Sequence, residues 1–198
     1  MKRTVLLFAG LILLPGCESI PKYSSPQNTD DAAKVRFASN GLEEGYTGIL
    51  GQVSSYRVHM FDDAQCSNEQ DVAFLASGGV SFVQNKSLDM PLNDFGKANS
   101  KEIYMKSDAQ KYLMFVGSAT SPGPVSKTTY GCGLMFPFTP SKDGLHEFLF
   151  IHEHFDKCSV QSSEIGFDRA NQPVRQNQTI IEKEDISDTC ARAFRKLY

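Results

Sequence analysis

From Lys101 to Phe167 the chain is a succession of short runs, each cut off by turn-forming residues. Lys101 to Lys106 (KEIYMK) alternates polar and apolar residues, and Lys111 to Val116 (KYLMFV) is apolar enough to be buried on both faces. Alternation with a period of two is the mark of a strand, whose successive side chains point to opposite faces. Ser107 to Gln110 reads as a turn between these two runs. Tyr130 to Phe138, Leu145 to Phe155 and Cys158 to Phe167 follow. Their separators are Thr139 to Gly144, whose Asp143-Gly144 is a hairpin signal, and the tight spacer Asp156-Lys157. Together these runs predict an antiparallel meander. Upstream, Lys34 to Phe37 and Val53 to Met60 read as strands, Val72 to Ala76 as a strand or a short helix, and Val80 to Val83 as a further strand. Two stretches interrupt the pattern. Gly41 to Gly51 is Gly-rich, and Gly117 to Thr129, with Pro122-Gly123-Pro124, reads as a long surface loop. At the end, Ile180-Ile181 reads as a last short strand, and Ser187 or Asp188 is placed to cap a short C-terminal helix from about Thr189 to Leu197. The fold class is mainly β: an antiparallel β-sandwich, with an Ig-like arrangement as one form it can take, plus that helix.

The N-terminus carries a different signal. Lys2 and Arg3 precede an apolar run from Val5 to Leu14, closed by Leu14-Pro15-Gly16-Cys17. A charged start, about ten apolar residues and a small residue before the cut make a secretory signal peptide. The run is too short to span a bilayer, which takes roughly 20 apolar residues. Its last four residues resemble the lipobox of bacterial lipoproteins, although Pro15 stands where Ala or Ser is usual. That resemblance implies cleavage before Cys17 and acylation of its thiol. Glu18 rather than an aspartate follows, which in the lipoprotein pattern points to the outer membrane. The expected organisation is a signal peptide over 1–16, a lipidated tether over 17–32 and a β-sandwich domain over 33–198. The tether reading rests on two prolines and an aperiodic polar composition.

Export agrees with the cysteines. With Cys17 committed to the anchor, Cys66, Cys132, Cys158 and Cys190 remain, and four cysteines in an oxidising compartment make two disulfides. Three connectivities are open. The reading leans to Cys132–Cys158, which closes the shorter loop, with Cys66–Cys190 tying the C-terminal helix to the body. No Cys-x-x-Cys occurs to support a redox role. The whole chain has 20 Lys+Arg against 23 Asp+Glu; without Lys2 and Arg3 the balance is 18 against 23, or −5. A nucleic-acid binder needs a basic stripe, and a polybasic grip on anionic lipid needs the same, so both are disfavoured.

Ala33-Lys34-Val35-Arg36-Phe37 after the tether, Cys66, Cys132 followed by Phe136-x-Phe138-x-Pro140, an aromatic strand led by Gly144, and Cys158-x-Val160 form a loose pattern across the mature domain. In this ordering the chain resembles small uncharacterised lipoproteins of Gram-negative bacteria. The resemblance implies a periplasm-facing β domain and carries no activity or functional residue with it.

Motifs with chemical capacity are few. His152 and His154 are two apart in a predicted strand, so they share a face, with Phe148, Phe150 and His146 in the same register. Two such imidazoles can hold Zn²⁺ or Cu²⁺ given a third ligand, for which His59, Asp62 and Asp156 are the candidates. Glu147 and Glu153 fall on the opposite face. A Gly-x-Ser-x-Gly elbow, a His-Glu-x-x-His helix and a Ser-x-x-Lys are all missing from the sequence. Asp62-Asp63 and Glu182/Glu184 read as solvated loop charges. No catalytic residue is assigned and no cofactor is expected, Zn²⁺ or Cu²⁺ belonging only to the alternative reading.

The expectation is a periplasm-facing lipoprotein, anchored in the outer membrane through Cys17, that binds or assembles rather than catalyses. Its partners would be the membrane, through its lipid, and an envelope protein met through the 40–51 or 117–129 segments; nucleic acid is not among them. The alternative is an envelope metal binder using His152 and His154.

Overall fold

The computed structural model describes residues 19–40, 53–77, 87–92, 94, 100–107, 109–122, 127–154, 157–182 and 190. Nine strands run through them: β1 (Ala32–Ser39), β2 (Val53–Phe61), β3 (Gln70–Ser77), β4 (Ser100–Lys106), β5 (Lys111–Pro122), β6 (Lys127–Phe138), β7 (Leu145–His154), β8 (Lys157–Phe167) and β9 (Pro173–Ile181). They form two sheets, one of five strands in the order β4-β1-β7-β8-β9 and one of four in the order β3-β2-β5-β6. The chain is therefore a β-sandwich. Every pairing is antiparallel except β1 with β7, which is parallel. The strand order is not that of an immunoglobulin constant domain, where the first two strands share a sheet; here β1 and β2 lie in different sheets.

Alternation builds the core. Val35 and Phe37 of β1, Tyr56 and Val58 of β2, Leu113 and Phe115 of β5, Leu134 and Phe136 of β6, and Phe148 and Phe150 of β7 all face inward and are buried. Their rings interlock: Phe115 stacks on Phe150 across the two sheets at a centroid distance of 5.9 Å, and within the sheets Phe115 stacks on Phe136 at 5.7 Å and Phe37 on Phe148 at 5.9 Å. Gly117 makes room for this cluster, because a Cβ there would lie 2.8 Å from the Phe150 ring. A second apolar cluster covers the outer face of the four-stranded sheet, where Phe61, Met114, Val116 and Met135 surround Cys190.

The two open sides of the sandwich are closed differently. Where β6 packs beside β8, Cys132 is bonded to Cys158, with a Cα–Cα distance of 6.1 Å. Cys66, in the loop after β2, is bonded to Cys190 with a Cα–Cα distance of 5.4 Å, which holds Cys190 on the outer apolar cluster. These are the pairs towards which the sequence leaned. The opposite side, where β3 packs beside β4, is closed by residues 21–23. Tyr23 N–H donates to Asp71 O and Asp71 N–H to Pro21 O, both at 2.9 Å, so this short piece runs parallel to β3 as an added edge. The Tyr23 hydroxyl then donates to Tyr104 O of β4 at 2.8 Å.

Four sequence expectations need correction. The runs from Lys101 to Phe167 do not form one antiparallel meander: β5 pairs with β6 and β7 with β8, but β4 and β5, and β6 and β7, lie in different sheets. The stretch 117–129 is not a long loop: β5 and β6 pair without a break from Lys111↔Phe138 to Pro122↔Lys127, leaving only 123–126 between them. Pro122 ends the ladder, where its missing N–H costs little. The polar stretch before Ile180 belongs to a full strand, β9, which reads poorly because Gln176 to Ile180 are exposed on both faces and so do not alternate. Residues 19–32 are not wholly free tether, since 21–23 dock on β3. The 41–51 segment, Val80 to Val83 and the C-terminal helix apart from Cys190 lie outside the described residues, as does Cys17.

Candidate functional site

The sandwich concentrates its buried charge on the outer face of the five-stranded sheet. Arg36 lies in the middle of β1 and pairs in register with Glu102 of β4 on one side and Glu147 of β7 on the other. Residues directly opposite on neighbouring strands share a face, so the three side chains form a row across the sheet. Arg36 is 0 % exposed, and both carboxylates are nearly as deeply buried. Its guanidinium donates through Nε and Nη2 to Glu102 Oε1 at 2.9 and 2.8 Å, and through Nη1 to Glu147 Oε2 at 2.7 Å. The remaining capacity goes to backbone: the carbonyls of Met90, Pro91 and Leu92 all accept from it.

Those carbonyls belong to a strap, residues 87–92, laid over the sheet. Glu102 Oε2 fastens the same strap from its other side, accepting from the Leu88 and Met90 N–H groups and the Ser87 hydroxyl. Burial alone pushes the Glu102 pKa up, but Arg36 and the two backbone N–H groups outweigh it, and the carboxyl sits below its ordinary value. A carboxylate held ionised in this way accepts hydrogen bonds and does not act as a general acid at neutral pH. Arg175 of β9 extends the row. It donates to Glu147, to Asp94 Oδ2 at 2.9 Å and to Leu92 O at 2.9 Å, and these acids hold its pKa above the ordinary value.

Beside this clamp lies a cleft of about 290 Å³. Glu147, Arg175 and Asp94 wall it; Leu149, Gln161, Ser163 and Gln178 line the rest. Gln161 Nε2 donates to Gln178 Oε1 at 3.2 Å. Because Arg175 is engaged by two carboxylates, the lining offers amide and hydroxyl chemistry more than free positive charge. It suits an uncharged polar group better than an anion.

Among the described side chains, His59, His146 and His152 are not assembled into one site. His146, Phe148, Phe150 and His152 share a face, as the alternation predicted; that face points into the sandwich, and Glu147 faces outward. His152 is fully buried, its ring edge-on to Tyr56 at 5.8 Å and next to Phe150. It is a core side chain and not part of a solvated rim. His59 shares a cross-strand position with Met114 of the outer cluster, so the four-stranded sheet stands between it and His152. Its Nδ1 lies 3.1 Å from Glu69 Oε1, and burial keeps its pKa below the usual histidine value despite the pull of Asp71. His146 Nε2 accepts from the Ser141 N–H at 3.2 Å, which places the proton on Nδ1, 3.8 Å from Glu164. Burial lowers its pKa as well. Asp62 is tied to Asn68 and Lys111. The side chains of His154 and Asp156 lie outside the description, and among the described residues no three His, Cys, Asp or Glu side chains surround a common point.

Sequence reasoning missed the clamp. Its one signal was a charge at the centre of each of three apolar strands, Arg36 in KVRF, Glu102 in KEIYMK and Glu147 in LHEFLF. Read singly, each looks like a solvated outward residue; only the register brings them together.

Compared with known proteins, the chain matches no family model, no curated protein and no solved structure.

Proposed function

We propose that this chain is a lipoprotein, acylated on Cys17 and held in the outer membrane with its β-sandwich on the periplasmic side, which works by binding as a non-enzymatic module of envelope assembly. The observation that carries the reading is the fate of the cysteines. Of the 5 in the chain, 4 are consumed in two disulfides, and the one left over is the cysteine of Leu14-Pro15-Gly16-Cys17. Disulfides of this kind belong to an oxidising compartment. The resemblance to small lipoproteins of Gram-negative bacteria points the same way. The binding part of the reading is supported by the clamp, whose acids are locked in ion pairs, and by the surfaces that remain: the exposed strand β9 and the polar cleft it borders. An edge strand of this sort can accept an extended segment of a partner.

Crosslinking in intact cells with the native N-terminus kept, followed by mass spectrometry of the captured proteins, tests this. One dominant envelope protein, attached through β9, is the expected result. Recovery of nothing beyond what an unrelated domain on the same anchor recovers contradicts the binding reading.

A further inference from the structure

The docked residues 21–23 limit how far the domain can stand from its anchor. Pro21 is fixed to Asp71 of β3, and Tyr23 to both β3 and β4. Burial of the Tyr23 ring, which pushes its phenol up to about 12, accords with a seated segment. From Cys17 to Pro21 is four residues, so even a fully extended chain spans about 14 Å. A free tether over 17–32 would have allowed roughly 55 Å.

We infer that the side of the sandwich formed by residues 21–23, β3 and β4 faces the bilayer that holds the Cys17 lipid, at close range and in a fixed orientation. This rests on the proposed acylation. The charge of the surface fits: Lys22, Arg57 and Lys101 gather around Asp71, with Glu69 beyond it, so three cations meet two acids. The far edge, β9, is four strand spacings from β4, or about 19 Å farther out. The cleft bordered by β9 and the exposed Ile180 are therefore turned towards the periplasm, where a partner can reach them.

The chain has no Trp, so a single introduced indole reports alone. The lipidated protein is placed in phosphatidylethanolamine/phosphatidylglycerol vesicles that carry a headgroup-linked nitroxide quencher. Lys22→Trp and Ile180→Trp both change exposed side chains and leave the core untouched. Lys22→Trp should be quenched at least twofold more than Ile180→Trp. A ten-residue Gly/Ser insertion between Ser19 and Ile20 should bring the two to the same level. Equal quenching of the two variants without the insertion, or quenching that the insertion does not change, overturns the inference while leaving the anchor standing. Intact mass, measured first, separates the two claims: a chain that carries no acyl group overturns the anchor reading and this inference with it.

Discussion

Replacing Arg36 by methionine removes the centre of the clamp while keeping an unbranched apolar stem in its place. Two carboxylates lose their shared cation, and the carbonyls of Met90, Pro91 and Leu92 lose a donor. Glu147 keeps Arg175, so Glu102 is the charge left stranded. Removing one partner of a buried ion pair costs about 3–5 kcal/mol, chiefly because the other charge stays buried and uncompensated. For a domain of this size that corresponds to a fall in Tm on the order of 10 °C. In the parent protein the folded Glu102 pKa lies below its unfolded value. Its ionisation therefore adds stability above about pH 4.3, and that contribution is lost as pH falls through the folded value. In Arg36→Met burial is unopposed by Arg36, and the Glu102 pKa should rise. The cost of the substitution should then be largest at pH 7 and smaller at pH 5. Adding Glu102→Gln should restore part of the loss, about 1–2 kcal/mol, since the amide oxygen still accepts from the strap without carrying charge. Urea unfolding with intact disulfides measures stability, and hydrogen exchange at the Leu88 and Met90 amides reports the strap. A loss below about 1 kcal/mol at pH 7, or a double variant weaker than Arg36→Met, would refute the electrostatic account.

Removing Cys132–Cys158, which joins residues 26 apart, should cost about 3.5 kcal/mol on the chain-entropy scale, and removing Cys66–Cys190, 124 apart, about 5 kcal/mol; denaturant midpoints of the paired Cys→Ala variants check the order. Gly117→Ala drives a methyl against the Phe150 ring and should destabilise by about 1–3 kcal/mol, whereas Gly131→Ala, on the exposed cross-strand neighbour of Ser118, should cost less than about 1 kcal/mol. His59 and His146 have folded pKa values below the ordinary one, so the unfolded chain binds their protons more readily. Stability should therefore fall as pH drops below about 6.5, and His146→Gln should flatten that slope in a pH series of unfolding curves.

How much of this could be read in the sequence depended on where each strand lies. β4, β7 and β8 bury one face on the aromatic core, so their apolar residues alternate and their runs were legible. β9 was not, because it is an edge strand, exposed from Gln176 to Ile180, and its VRQNQT stretch carries no hydrophobic period. The β5 arm of the far half of the β5–β6 hairpin, Gly117 to Pro122, is built from Gly, Ser, Ala, Thr and Pro, residues that mark loops when long-range pairing is unknown. The docking of residues 21–23 is made largely by backbone hydrogen bonds, which leave little trace in side-chain pattern. That His146 and His152 share a face with Phe148 and Phe150 was legible, but that this face points inward was not, since the opposing Tyr56 comes from a distant strand. The clamp failed to show for the same reason: Arg36, Glu102 and Glu147 are far apart in sequence, and nothing local to any of them announces the strap.

The most direct test of the account is the intact mass of the protein extracted from membranes of the cells that make it. The expected protein begins at Cys17 and carries two disulfides, with the added mass of acyl chains confined to the N-terminal peptide. A chain that still begins at Met1, or one cut elsewhere with an unmodified Cys17, would contradict it.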